Sequence, residues 1–195
     1  TAAAAAPPGT PTIDRDRADR VAPVIREAPP PRTGKGAAEV AARPAAEVTL
    51  RGFRYEGSSL PAAVLDDALR PFLGRPLTAE TLQAVARSAA AAHAAGGIAY
   101  YAVSIPAQVP SGGVLTLRVV EGRLADYRLT NITRSTPTRL IAADMEQLMR
   151  ERPLRRSSLE RKLALLRDVP GQSLDAQVRQ LDPAGALALD LTSRR

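Results

Sequence analysis

The sequence predicts an α+β protein in which one strand-helix-helix-strand-strand unit is used twice, and three observations carry that prediction. Ile98 to Ile105 and Val114 to Val120 alternate apolar and polar residues on either side of a break at Pro110 to Gly113, the pattern of two strands joined by a turn. Leu60, Val64, Leu65, Ala68, Leu69 and Phe72 recur at helical spacing. Arg75-Pro76-Leu77 followed by Leu82 returns as Arg152-Pro153-Leu154 followed by Leu159, each copy set between two helical patterns, which marks an internal repeat.

With 195 residues the chain has room for two small domains, and a hydrophobic content of 45% argues against general disorder. The 17 prolines are unevenly spread. From Pro7 to Ala46 the chain is rich in Pro, Ala and charge, with Pro29, Pro30 and Pro31 in a row. Consecutive prolines hold polyproline geometry and supply no amide donors, so residues 1–46 read as a semi-rigid spacer, with a short helix around Ile13 to Glu27 that Pro23 interrupts. Thr1 to Ala6 is apolar but lacks a basic flank, so it does not read as an intact signal peptide. No stretch approaches the roughly 20 apolar residues of a membrane-spanning helix.

The first unit is expected over 47–122. Glu47 to Tyr55 reads as a strand, and the helix that follows tolerates Pro61 in its first turn and ends at Gly74 and Pro76. Thr78 is the expected N-cap of a second helix, with Glu80 near the positive end of its dipole and Leu82, Val85, Ala86 and Ala89 as the buried stripe; Gly96 and Gly97 close it. The hairpin completes the unit. Over 123–195 the order repeats. Leu124 to Ile132 is a strand, and Pro137 opens a helix with Leu140, Ile141, Met145 and Leu148 on its apolar side. Ser157 and Glu160 form a capping box ahead of Leu159, Leu163, Leu166 and Val169, and Pro170-Gly171 stops that helix. Gln172 to Leu181 and Ala186 to Leu191 are strands around an Asp182 to Gly185 turn. Two helices on one face of a three-stranded sheet give each unit a two-layer core.

Chemistry-bearing constellations are scarce. The chain has no Cys, which excludes disulfides, thiolate metal sites and cysteine nucleophiles, and its one His, His93, cannot form a metal cluster and reads as a packing or surface residue. Asp66-Asp67 and Asp14, Asp16 and Asp19 sit beside Arg or on polar faces as solvated charge, and Gly112-Gly113 joins two strands where a phosphate loop leads into a helix. No enzyme activity, metal or cofactor is expected.

The segment Ile105-Pro106-Ala107-Gln108 followed by Val119-Val120-Glu121-Gly122 resembles the first POTRA module of two-partner secretion transporters, the hemolysin and filamentous hemagglutinin secretion-activation family. In the second unit, Leu159-Glu160-Arg161 leading to Asp168-Val169-Pro170-Gly171 is similar to that family's helix end, and Asp182 to Gly185 occupies its Pro-Gly turn. His93 departs from the usual Tyr, and Gly96-Gly97-Ile98 from the usual Gly-Tyr step. The resemblance implies two tandem POTRA modules behind a linker, on the periplasmic face of the bacterial outer membrane. It implies an unfolded secreted protein as partner and a C-terminal β-barrel, for which this chain lacks the alternating strands. It also implies that the second strand of the unit is an exposed sheet edge, to which an extended client adds as a further strand. The residues expected to bind the partner are Ala99, Tyr100, Tyr101, Val103 and Ile105, although Ala99, Tyr101, Val103 and Ile105 could equally be core packing under the helices.

Two other readings share parts of the pattern. A POTRA scaffold in barrel assembly or cell division differs in partner only. A tandem KH protein starts with the same element order, and a net charge of +7 suits nucleic acid. The KH fold needs a Gly-x-x-Gly loop between its paired helices, and Leu73-Gly74-Arg75-Pro76-Leu77 and Arg150-Glu151-Arg152-Pro153-Leu154 lack it; with 3% aromatic residues there are few platforms for bases, so no nucleic-acid partner is expected.

Overall fold

The computed structural model describes residues 36–131, 136–167 and 173–194. The short helix around Ile13 to Glu27 and the Pro170-Gly171 stop lie outside the described residues. In chain order the elements are β1 (Ala37–Val40), β2 (Ala45–Thr49), β3 (Gly52–Glu56), α1 (Ala62–Leu69), a 3-10 turn at Arg70–Phe72, β4 (Pro76–Leu77) and α2 (Ala79–Ala95). They continue with β5 (Tyr101–Ile105), β6 (Val114–Glu121), β7 (Arg123–Thr130), α3 (Thr138–Arg150), α4 (Arg156–Arg167), β8 (Ser173–Gln180) and β9 (Ala186–Arg194).

The architecture is α+β. β5 and β6 pair antiparallel with Val103 opposite Val119, and β3 joins the other side of β6 in parallel, with Tyr55 opposite Leu117. The second sheet has the order β7-β9-β8, β7 running parallel and β8 antiparallel to β9. One apolar cluster gathers Leu69, Leu82, Val85, Val103, Leu115 and Leu117. Another gathers Ile141, Met145, Leu148, Leu159, Leu166 and Leu189, with Leu163 half-buried against it.

Several local expectations need correction. The strand expected over Glu47 to Tyr55 is two strands, because Leu50 turns inward: its N–H donates to the Arg75 carbonyl, its carbonyl accepts from Gly74, and its side chain is buried. The first sheet has four strands in the order β1-β5-β6-β3, since β1 comes from the stretch expected to be spacer. Val64 and Leu140, placed on buried stripes by spacing, are exposed at the edges of those stripes, while Leu65 and Leu69, and Ile141, Met145 and Leu148, carry the burial. α4 starts at Arg156, ahead of the Ser157 expected to cap it. Thr78 does cap α2, its side chain accepting from the Thr81 N–H at 3.2 Å.

The two halves meet along a short ladder between the residues flanking the hairpin and the loop that joins α3 to α4. Ile98 and Ala99, expected to open the hairpin strand, instead reach across: Ile98 bridges Arg155, and the Ala99 N–H donates to the Leu154 carbonyl at 2.9 Å. Leu154 in turn donates to Gly122, and Arg123 to Gly185. Gly122 fits because it has no side chain; a Cβ there would lie 2.7 Å from Tyr100 Cβ and 2.9 Å from Leu187 Cδ1. Gly122→Ala is therefore expected to lower stability by about 1–3 kcal/mol through overpacking. The check is a lower denaturant midpoint at unchanged slope; an unchanged midpoint would show that the junction yields freely.

Tyr55 links β3 to α1, its hydroxyl donating to Asp66 Oδ1 at 2.6 Å. Burial, and then the Asp66 carboxylate, push the phenol well above its usual range. A group whose pKa is raised on folding stabilises the fold fully below its unfolded pKa and loses that contribution as pH rises. Stability should therefore fall as pH climbs above 10.0, the ordinary phenol value. Tyr55→Phe should flatten that decline in alkaline denaturant titrations; an equal slope in both proteins would contradict the link.

Candidate functional site

The hairpin strand β5 is the structural centre of the expected binding site. Its alternation sends Tyr101, Val103 and Ile105 toward the helices, where all are buried, and leaves Ala102 exposed on the other face. Ala99 precedes the strand and is buried in the second apolar cluster, with Tyr100 half-buried beside it. Burial raises the Tyr100 phenol above its usual pKa. Of the residues expected to bind a partner, then, Ala99, Tyr101, Val103 and Ile105 have their side chains in the cores. What a partner could use at Val103 and Ile105 is their main chain.

That main chain is not a free edge in this structure. β1 runs parallel to β5, pairing Ala37 with Ala102, Ala38 with Val103, Glu39 with Ser104 and Val40 with Ile105. The N–H groups of Ala41 and Ala42 both donate to the Ile105 carbonyl, at 2.9 and 3.2 Å. The expected exposed edge is corrected accordingly, and the physical reason is that an unpaired row of amides and carbonyls attracts any extended segment within reach.

β1 is held lightly. Ala37, Ala38 and Glu39 are exposed and Val40 is half-buried; only Ala42, just beyond the strand, is buried in the core. A groove of about 260 Å³ remains beside it, lined by Ala38, Val40, Gln83, Ala86 and Arg87, so the small side chains of β1 do not fill the space toward α2. At the other end Gly36 passes directly over Tyr101, where an added Cβ would fall 1.8 Å from the ring.

Beneath this edge lies a buried polar network that spacing could not reveal. The His93 ring stacks on Tyr101 at 5.7 Å, with Nδ1 2.8 Å from the Ala89 carbonyl and Nε2 2.9 Å from Ser58 Oγ. With Nδ1–H donating to Ala89, Nε2 accepts from the Ser58 hydroxyl, so both ring nitrogens are satisfied. Glu121 Oε1 accepts from the Ser59 N–H at 2.8 Å and stands 3.7 Å from Nε2. His93 thus ties α2 to the loop after β3 and to the end of β6. It is a packing residue, as its alanine-rich surroundings suggested.

In the second sheet the strand equivalent to β5 in element order is β8. Among the described residues β8 pairs with β9 only, so its outer side carries no strand.

Residues 48–122 match the sequence profile of the POTRA domain, ShlB-type. No curated protein matches the sequence. Among solved structures the chain is similar to CdiB from Escherichia coli, with a TM-score of 0.66 at 20% identity over 93% of this chain and 32% of that one. It is similar to CdiB from Acinetobacter baumannii, with a TM-score of 0.55 at 13% identity over 75% of this chain and 29% of that one. It also resembles the N-terminal domain of Omp85 from the thermophilic cyanobacterium Thermosynechococcus elongatus, with a TM-score of 0.57 at 20% identity over 76% of this chain and 67% of that one. The chain therefore spans 32% and 29% of the two CdiB chains, and the likeness is one of fold.

Proposed function

We propose, from the match of residues 48–122 to the POTRA domain, ShlB-type, that the chain is the client-recognition region of an outer-membrane two-partner secretion transporter. In this reading it works on the periplasmic face of the outer membrane, without catalysis or cofactor. It takes up a secreted partner in unfolded form and passes it to a C-terminal β-barrel of the same transporter. The recognition region comprises two POTRA modules divided at Gly122.

The observation that carries the reading is the β5 edge, which already accepts an extended segment through main-chain hydrogen bonds. Such pairing does not depend on sequence, which suits a client presented unfolded, and side-chain grooves add preference. The main chain of Tyr101, Val103 and Ile105 would carry the ladder, held in place by their side chains in the core, while Ala99 and Tyr100 anchor the start of the strand to the second apolar cluster. The rival phosphate-binding reading fares poorly at the helix-helix loop, where the Gly74 amide and the Arg75 carbonyl are both committed to Leu50.

Fluorescence anisotropy with a labelled, reduced and carboxymethylated protein tests the reading. Saturable binding is expected, with the same protein in folded form and single-stranded RNA both binding more weakly at physiological salt. Tighter binding of the RNA would overturn the proposal. A barrel scaffold with the same modules would differ in partner, and the ShlB-type match favours the exporter.

A further inference from the structure

We infer that β1 is a built-in competitor for the β5 edge: an incoming extended segment must replace it, and segments with larger apolar side chains do so best. The inference rests on the proposed client-binding role and adds its regulation. Three features of the structure support it.

The first is that β1 holds its place chiefly through main-chain bonds, since Ala37, Ala38 and Glu39 are exposed. Any strand can supply those bonds, so exchanging one strand for another is close to neutral in hydrogen bonding and is decided by side-chain burial. The second is the space left beside it. Ala38 and Val40 face the groove of about 260 Å³ against Gln83, Ala86 and Arg87. A client residue larger than Ala at the Ala38 position would bury apolar surface that β1 leaves wet. The exposed Glu39 position would impose little, while Ala37 borders a separate pocket of about 200 Å³ beside Tyr100 and Leu187 that a larger apolar client residue would also use.

The third feature is the asymmetry of the two ends. Near Ile105 the strand is clamped by two amides on one carbonyl and by buried Ala42. At the other end Gly36 lies flat on the Tyr101 ring and contributes no side chain. β1 should therefore peel from Gly36 toward Ala42, staying tethered while the edge is used.

The chain has no cysteine, so Glu39→Cys with Ser104→Cys, which are register partners on neighbouring strands, creates a single lock. The probe is the labelled, reduced and carboxymethylated protein. We expect oxidation of the pair to lower probe affinity by about tenfold or more relative to the same variant reduced. Ala38→Leu, which fills the groove from within, should lower affinity by about tenfold without any cross-link. Gly36→Val, which collides with Tyr101, should raise it. Equal binding by the oxidised and reduced lock would overturn the inference while leaving the client role standing. If neither the reduced lock nor folded Gly36→Val, verified by hydrogen exchange in β6 and β9, binds the probe at all, the client role itself fails. Failure of the pair to oxidise in the folded chain would contradict the β1 to β5 register and with it the inference.

Discussion

Leu117→Ala is expected to cost about 2–5 kcal/mol, the range for removing a fully buried leucine, and to concentrate that loss in the first sheet. Leu117 is completely buried, lies on central strand β6 and pairs across to Tyr55 of β3. It belongs to the apolar cluster around Val85 and Leu69, separate from the cluster around Leu148 and Leu189. A small α+β unit has only a few kcal/mol to spare, so the loss is a large share of its stability. Amide exchange should quicken across β3, β5 and β6 while β8 and β9 keep most of their protection. Equal loss in both sheets would show that the junction ladder at Ala99, Leu154 and Gly122 couples them into one cooperative body, and the proposed division at Gly122 would fall.

Val103→Pro is expected to destabilise the protein by roughly 3 kcal/mol or more, as proline does where it removes a paired amide from regular structure. On a free edge strand, proline can point its missing N–H at solvent and do little harm. β5 has β1 on one side and β6 on the other, so whichever neighbour receives the Val103 N–H, a ladder bond is lost and a carbonyl is left without its donor. Val103 is also buried, and the proline ring cannot reproduce its packing. The same substitution at Ala38 of β1 should cost far less, because that strand is exposed and exchangeable. Chemical denaturation of the two variants separates the cases. Similar midpoints for both would mean that β1 is as firmly built in as β5.

Residues whose burial dictates their pattern were legible from the sequence. Leu82, Val85, Ala86 and Ala89 recur on one face of α2 because that face packs on the sheet, and Thr78 is a cap because its hydroxyl meets a free amide of the first turn. Both copies of Arg-Pro-Leu lie between paired helices and end in a buried leucine, Leu77 or Leu154, although the first forms strand β4 against β2 and the second a bend. β1 was not legible, for the reason that makes it interesting. Its residues, Ala-Ala-Glu-Val, have almost no buried side chains, and the strand exists because β5 offers it hydrogen-bonding partners far away in sequence. Spacing also could not show that Ile98 and Ala99 leave the hairpin to bind the loop between α3 and α4, since their apolar character suits either place. At the candidate site the reading of Tyr101, Val103 and Ile105 as core residues holds, and the edge beside them is occupied.

The most direct test of client capture at the β5 edge is hydrogen exchange of the native chain with and without saturating unfolded probe. The account predicts that the amides of Ala37 to Val40 lose protection when the probe binds, while those of Tyr101 to Ile105 remain protected because a new strand has taken the place of the old. Binding with Ala37 to Val40 as protected as in the free chain would contradict it and direct attention to the outer side of β8.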